Sequence, residues 1–318
     1  TLGNNLGGGN IFVYNGSGSS VTVTNLQPST TYYFATWDYD GSNTYSTPAG
    51  TNNITTPGPI LYTSGTYSQD FNTLPNNGTI TPGVPGPVYA NLSPVNAGSM
   101  GGWQYTRISG SNANVLFAVN DGSGSSGSVY SYGTGTNSDR AFGLLASAAN
   151  VDAIGAVIRN TSGGPLTTFT ISFTGEQWRV ANAAQQALAF SYSLNGSDIA
   201  TGTYTPVTQL NFLSPQVSGT AAALDGNQAA NQVTVSYTVD MGTNWLPGTD
   251  LVIKWSDADD TGADHGLAID NFSFSASGPV APSTQDHDIA FANITTVGAD
   301  VSWVNGDGSK RMVVKASC

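Results

Sequence analysis

The strongest constraint on this chain is its shortage of the residues that build and solvate helices: Glu176 is its one glutamate, and its lysines are Lys254, Lys310 and Lys315. Charged residues make up 9% of the 318, against about 25% in an average soluble protein. Glutamate and lysine are good helix formers, whereas the aspartate, asparagine, glycine, serine and threonine that stand in their place favour turns and strands. A predominantly helical fold is excluded and an all-β one is expected. The 39% of hydrophobic residues suffices for a packed core. A net charge of −12 excludes nucleic acid and anionic membranes as partners, because phosphate binding needs clustered lysine and arginine. No apolar run approaches the roughly 18 residues of a membrane span, so no membrane insertion is expected. The sequence starts at Thr1 without a basic and apolar leader, and reads as a mature or excised segment. Cys318 is the single cysteine, which excludes internal disulfides and zinc-ribbon spacings. The composition suits an extracellular surface.

Three segments follow from the pattern of apolar runs and breakers: 1–56, 60–276 and 284–318. Residues 46–59, rich in proline, glycine, threonine and asparagine, read as a linker, and residues 276–283 as a second. In the first segment, residues 11–14, 21–23 and 31–37 read as short strands. In the second, residues 166–173, 187–192, 232–239, 251–255 and 267–274 show strand periodicity between glycine-rich turns. About 210 residues of this kind fit one large β-sandwich or jelly roll. Residues 121–139 read as a long surface loop that Val129 to Tyr132 could pin to the sandwich.

The run containing Val21, Val23, Leu26, Pro28, Thr30, Tyr32 and Phe34 resembles the second half of a fibronectin type III domain, in which a Leu-x-Pro-x-Thr-x-Tyr corner leads into a late strand. The run containing Phe291, Ile294, Val301 and Trp303, followed by Val313, resembles the first half of the same domain. The halves stand in inverted order. Neither can bury its apolar face alone, so copies of the chain joined head to tail, closure of one chain on itself, or a longer tandem polypeptide would have to complete them. Lysine, the usual protector of strand edges, is missing where such edges would need blunting, so the end pieces look built to be paired.

Residues 67–275 resemble an all-β domain that recurs in secreted multidomain bacterial proteins. The likeness rests on Ser68 to Asn72, Ser138 to Gly143, Gly175 to Arg179, Ala223 to Asn227 and Asp264 to Phe272. It implies a secreted or cell-surface module and no particular reaction.

Five of the 19 aspartates fall between Asp257 and Asp270. Asp257, Asp259 and Asp264, with glycine at 262, imitate the start of a calcium loop, although the twelfth position is Ala268 and not the glutamate of an EF-hand. Asp70 and Asp270, on the expected first and last strands of the sandwich, form a second candidate pair. Structural Ca2+ is the one cofactor expected, against the alternative of solvated acid-rich turns. Glu176 is expected to pair with Arg179 or Arg140, since an uncompensated buried charge is expensive, and His265 to make structural hydrogen bonds. No hydrolase elbow, thiol dyad or phosphate loop is present, so no catalytic residue is expected. Trp37, Tyr39 and Tyr45 could stack on sugar rings, as could Trp103 with Tyr105. The chain thus reads as a structural subunit of an extracellular bacterial filament or adhesin stalk that assembles with copies of itself. The alternative is a carbohydrate-binding accessory module whose partners are surface glycans.

Overall fold

A computed structural model describes residues 5–7, 10–11, 13–21, 23, 30–40, 42, 44–55, 58–80, 88–89, 100–112, 117–279, 283–308 and 310–315. In chain order the main strands are β1 (Thr31–Thr36), β2 (Gly50–Thr55), β3 (Ile60–Tyr62), β4 (Tyr67–Gln69), β5 (Trp103–Ser109), β6 (Phe117–Asn120), β7 (Ser128–Tyr132) and β8 (Ala141–Leu145). They continue with β9 (Val151–Asn160), β10 (Leu166–Val180), β11 (Ala187–Ser193), β12 (Gln232–Trp245), β13 (Asp250–Asp257), β14 (Gly266–Ser277), β15 (His287–Ala292) and β16 (Asp300–Val304). Helix among the described residues is limited to two 3-10 turns.

Two sheets make a β-sandwich. The nine-stranded sheet runs β12, β10, β14, β8, β7, β6, with β4 also on β14; the eight-stranded sheet runs β11, β13, β9, β5, with β3 also on β9. Short two-residue strands complete both. From β8 to β14 each successive strand lies in the opposite sheet, the alternation of a jelly roll. Strand alternation puts Val129, Phe142, Leu144, Phe173, Leu267 and Ile269 of one sheet against Trp103, Ile154, Phe190 and Trp255 of the other. At the centre the Trp103 ring stacks on Trp255 at 6.5 Å, with Phe272 edge-on at 5.0 Å. Burying each such side chain contributes about 1.5–3 kcal/mol, which is why a chain with few charges can still hold a single core.

The all-β expectation holds, and the five strand runs read in the central region are β10, β11, β12, β13 and β14. Three readings need correction. In the first segment Ile11 ends the strand Asn10–Ile11, paired with Asn5–Gly7, while Val13, Tyr14, Val21 and Val23 lie in no strand. Residues 50–55 of the expected linker form β2, because Ile54 lies opposite Tyr32 in an antiparallel pair. Residues 121–139 are not a surface loop throughout: Val129 to Tyr132, expected to pin the loop, do so as part of β7 (128–132), fully buried between β6 and β8. No described helix is long and apolar enough to cross a membrane.

At the N-terminal end the described strands form two separate antiparallel pairs, Asn5–Gly7 with Asn10–Ile11 and β1 with β2, and at the C-terminal end one, β15 with β16. Tyr32 and Phe34 are half-buried, Val23 likewise, and Val21 is exposed. Leu26 lies outside the described residues. In the C-terminal pair Phe291 sits opposite Val301; Phe291, Ile294, Val301 and Val313 are exposed, and Trp303 is half-buried. A complete fibronectin-like sandwich is not formed by either set of described residues.

Candidate functional site

The outward side of a sandwich sheet is ordinarily polar and wet. On β7, β8, β10 and β14 it is not. Tyr130, Tyr132, Ala141, Leu145, Trp178 and Ala268 form a second apolar cluster there, separate from the core. Small residues make the room. A Cβ on Gly143 would stand 2.7 Å from the Tyr132 ring, and one on Gly266 would stand 2.6 Å from its hydroxyl. Tyr132 therefore lies over them and stacks on Trp178 at 5.9 Å with an interplanar angle of 10°. Gly226, in the segment after β11, closes over the indole.

Beside this aromatic group sit two buried acids. Glu176 shares the Trp178 side of β10, and its Oε2 accepts the indole Nε1–H at 2.9 Å. Burial, then the neighbouring Asp270, pushes the Glu176 carboxyl up to about 8. Asp270 is held up to about 7, chiefly by burial; its Oδ2 accepts the Asn271 amide at 2.9 Å while Oδ1 has no partner. The expected pairing of Glu176 with an arginine is not made. Arg179 follows Trp178 across a register shift in β10 and reaches the carbonyls of Gly122 and Ser123 at 3.1 and 3.2 Å. Arg140 shares the inward parity of Phe142, and its guanidinium donates to Ser131 Oγ at 2.9 Å and to the Ser131 carbonyl.

Residues 121–127 cross the aromatic group as a strap. Asn120 Oδ1 accepts the Gly122 and Gly124 amides, Arg179 holds the strap's carbonyls, and the Tyr130 hydroxyl donates to the Ser126 carbonyl at 2.6 Å. A cleft opens on either side. One, of about 430 Å³, is lined by Ser125, Arg179, Asp259, Asp260 and Asp264. The other, of about 390 Å³, is lined by Asn120, Asp121, Ser123 and Tyr130. Together they offer carboxylates, a guanidinium, hydroxyls and an aromatic body, the groups that recognise a polyhydroxylated ligand.

The candidate metal residues are distributed around this site. Asp259 and Asp264 face the first cleft. Asp264 Oδ1 is already engaged by the Asp260 amide at 3.1 Å and the Gln186 amide at 2.9 Å, and burial first raises its carboxyl to about 6. Asp257 is buried at the end of β13, where desolvation first and Asp264 second push its carboxyl well above the usual range. Among the described residues no three Asp, Glu, His or Cys side chains converge on a point that could hold a metal. Asp70 and Asp270 are close enough for the first to raise the second. The buried, unpartnered Oδ1 of Asp270 is the one feature there that fits a hard cation. His265 takes the Ala181 amide on Nδ1 at 3.0 Å, which leaves Nε2 to donate to the Ala184 carbonyl at 3.1 Å: a neutral ring, its pKa lowered first by burial.

Of the stacking candidates, Trp37, Tyr39 and Tyr45 are exposed, with the two tyrosine rings 5.4 Å apart. Trp103 and Tyr105 are not available to a ligand, because inward alternation on β5 buries both in the core. The outer cluster of Tyr130, Tyr132 and Trp178 was not among the sequence candidates; the period-2 spacing of the two tyrosines, and of Glu176 with Trp178, is the signal that points to it.

No family model and no curated protein matches the chain. Among solved structures it is similar to the K3 cleaved adhesin domain of Lys-gingipain from Porphyromonas gingivalis, at 16% identity and a TM-score of 0.33, over 66% of this chain and 98% of that one. It is similar also to the CBM22-1 xylan-binding domain from Paenibacillus barcinonensis, at 11% identity and a TM-score of 0.30, over 69% and 98%. A third is the CBM61 module solved with β-1,4-galactotriose, at 9% identity and a TM-score of 0.25, over 44% and 72%.

Proposed function

We propose that the central sandwich is a non-catalytic carbohydrate-binding module of an extracellular bacterial protein. It would hold a neutral glycan in the two clefts beside the 121–127 strap. The observation that carries this reading is the pair of clefts beside the strap, lined by Arg179, Asp259 and Asp260 on one side and by Asn120, Asp121 and Ser123 on the other; the Tyr132 and Trp178 rings are buried behind them and support the strap without reaching a ligand. Asp259 and Asp260 supply acceptors and Arg179 donors for sugar hydroxyls, and the net charge of −12 disfavours anionic polymers. Binding and not cleavage fits the acids: Glu176 and Asp270 are 2% and 3% exposed, beyond the reach of a glycosidic oxygen. Affinity electrophoresis and calorimetry against a panel of neutral polysaccharides test it. Arg179→Ala and Asp260→Asn should each weaken binding about tenfold or more, the size of one or two lost charge-assisted hydrogen bonds. If no neutral polysaccharide binds, or if binding is lost only on replacing Trp37, Tyr39 and Tyr45, the assignment to the clefts fails.

The calcium expected from the sequence belongs, on this reading, to Asp70 and Asp270. Ca2+ should raise the melting temperature of the wild type and leave Asp270→Asn unmoved; equal melting with calcium and with chelator removes the ion.

A second reading, head-to-tail assembly into a filament or stalk, is favoured by the end hairpins. Phe291 and Val301 form an exposed apolar cross-strand pair on one, and Tyr32 and Ile54 lie opposite each other on the other. Electron microscopy of the full chain at high concentration, with Phe291→Ser as control, tests it: ordered polymers lost in the variant support the reading, and polymers unaffected by it, or none at all, end it.

A further inference from the structure

β12 is the edge of the nine-stranded sheet. Over residues 232–240 it is paired on one side with β10, from Gln232 opposite Glu176 to Asp240 opposite Thr168, and no described strand lies on its other side. Long open edges are normally blunted by lysine, proline, a bulge or an inward charge. This one has none of these across Gln232 to Val239; its sole charge is Asp240 at the far end. The strand alternates between two kinds of side chain. Val233, Val235, Tyr237 and Val239 have the inward parity of Phe173 and Ile171 opposite them, and Thr234, Ser236 and Thr238 point outward. Core-side residues should be covered, yet Val233 is 44% and Tyr237 39% exposed. The eight-stranded sheet ends at the short strands Thr205–Pro206 and Phe212–Leu213 on β11; the 3-10 turn Thr208–Leu210 between them lies near β12, yet Val233 and Tyr237 stay exposed.

We infer that β12 is a docking edge for a second copy of this chain, pairing antiparallel with the same strand of its partner about a two-fold axis near Ser236. The choice of occupant follows from the self-complementarity of the strand. With Ser236 opposite its own copy, Val235 meets the partner's Tyr237 and Val233 meets the partner's Val239. On the outward side Thr234 meets the partner's Thr238. Gln232 meets the partner's Asp240, so the lone carboxylate of each strand faces an amide and not its own image. Apolar therefore meets apolar, hydroxyl meets hydroxyl, and no like charges are opposed, which is what an isologous interface requires. The open amide and carbonyl groups of both edges are satisfied together, and the exposed Val233 and Tyr237 of both copies are covered by the same contact.

Sedimentation equilibrium of the full chain over a range of concentrations tests the inference, with Val233→Lys and Tyr237→Lys combined in one variant. Both side chains are exposed, so the variant should fold; an unchanged tryptophan emission spectrum checks this. The wild type should approach twice the monomer mass and the variant should stay at the monomer mass. In a Cys318→Ser background, Ser236→Cys should form an intermolecular disulfide under mild oxidation, and Ser197→Cys, on an exposed loop, should not. A wild type monomeric at every concentration, association that survives both lysines, or equal crosslinking at the two positions would overturn the inference. In the second case the end hairpins are the joint instead. Glycan binding at the clefts is unaffected by either outcome, because neither lysine position lines them.

Discussion

Glu176 shows how far one side chain can depart from its formal charge. Its carboxyl is buried with an indole N–H on one oxygen, and burial carries it to about 8, so that at pH 7 it is mostly protonated. A folded-state pKa above the unfolded value of about 4.3 means stability that is fully present below that value and is lost as pH rises through the folded one. Glu176→Gln, which keeps the acceptor without the titration, should match the wild type within about 1 kcal/mol at pH 6 and melt higher than it at pH 9. Melts at the two pH values decide this; a variant less stable at pH 9 would show that the carboxyl is charged and paired. Backbone conformation is the other residue-scale constraint. Gly122 has φ of +90°, and a Cβ there would stand 1.9 Å from the Trp178 carbonyl oxygen. Gly122→Ala should cost about 3 kcal/mol or more, whereas Gly135→Ala, at φ of +56° with nothing within 4 Å, should cost about 1 kcal/mol. Chemical denaturation compares them directly.

At the scale of the element, β9 carries an ion pair at each end, and burial separates their worth. Arg107 Nε and Asp152 Oδ1 are 2.5 Å apart, with side chains only 10% and 1% exposed, and Asp152 Oδ2 has no partner. Arg159 and Asp250 meet through two hydrogen bonds of 2.8 Å, but their side chains are 41% and 15% exposed. Arg107→Ala should cost about 3–5 kcal/mol because it strands a buried carboxylate, and Arg159→Ala about 0–1 kcal/mol because water replaces the partner. Denaturation midpoints with unchanged slopes are the measurement. Strand elements are also where sequence reading succeeded and failed for physical reasons. β10, β12 and β14 announced themselves through period-2 runs bounded by turns. β7 did not, because glycine and serine on both sides of Val129 to Tyr132 look like loop until β6 and β8 are placed against it. β2 was hidden for the same reason: Gly50 to Thr55 has one large apolar residue, and pairing with β1 is what orders it.

Across the whole molecule the acids that matter share one direction of shift. Asp264 is raised to about 6, Asp270 to about 7 and Glu176 to about 8, each with burial as the largest cause, and Asp257 is raised well above the usual carboxylate range, again chiefly by burial. The unfolded chain releases these protons near pH 4 and the folded one holds them, so stability should be greatest in mild acid and decline steadily from about pH 4 to 8. A melting temperature that rose over that interval would contradict the burial of these groups. A protein with 20 acids and 8 bases would also gain self-repulsion in this range, which acts in the same direction.

Composition and local pattern already contain the fold class: too little glutamate and lysine for helices, and period-2 strand runs between residues 166 and 274. The candidate site was legible only in part. Asp259 and Asp264, singled out as metal candidates, line a cleft, while Trp103, a candidate for stacking on sugar, lies in the core. Alternation shows that a strand has two faces; it does not say which of them meets the other sheet. The packing of one sheet on the other decides that, and with it the second aromatic cluster on the outside, the raised carboxyl of Glu176 and the open edge at β12. Each depends on what lies against a residue from elsewhere in the chain, which sets its dielectric surroundings and its partners, and no local pattern carries that information.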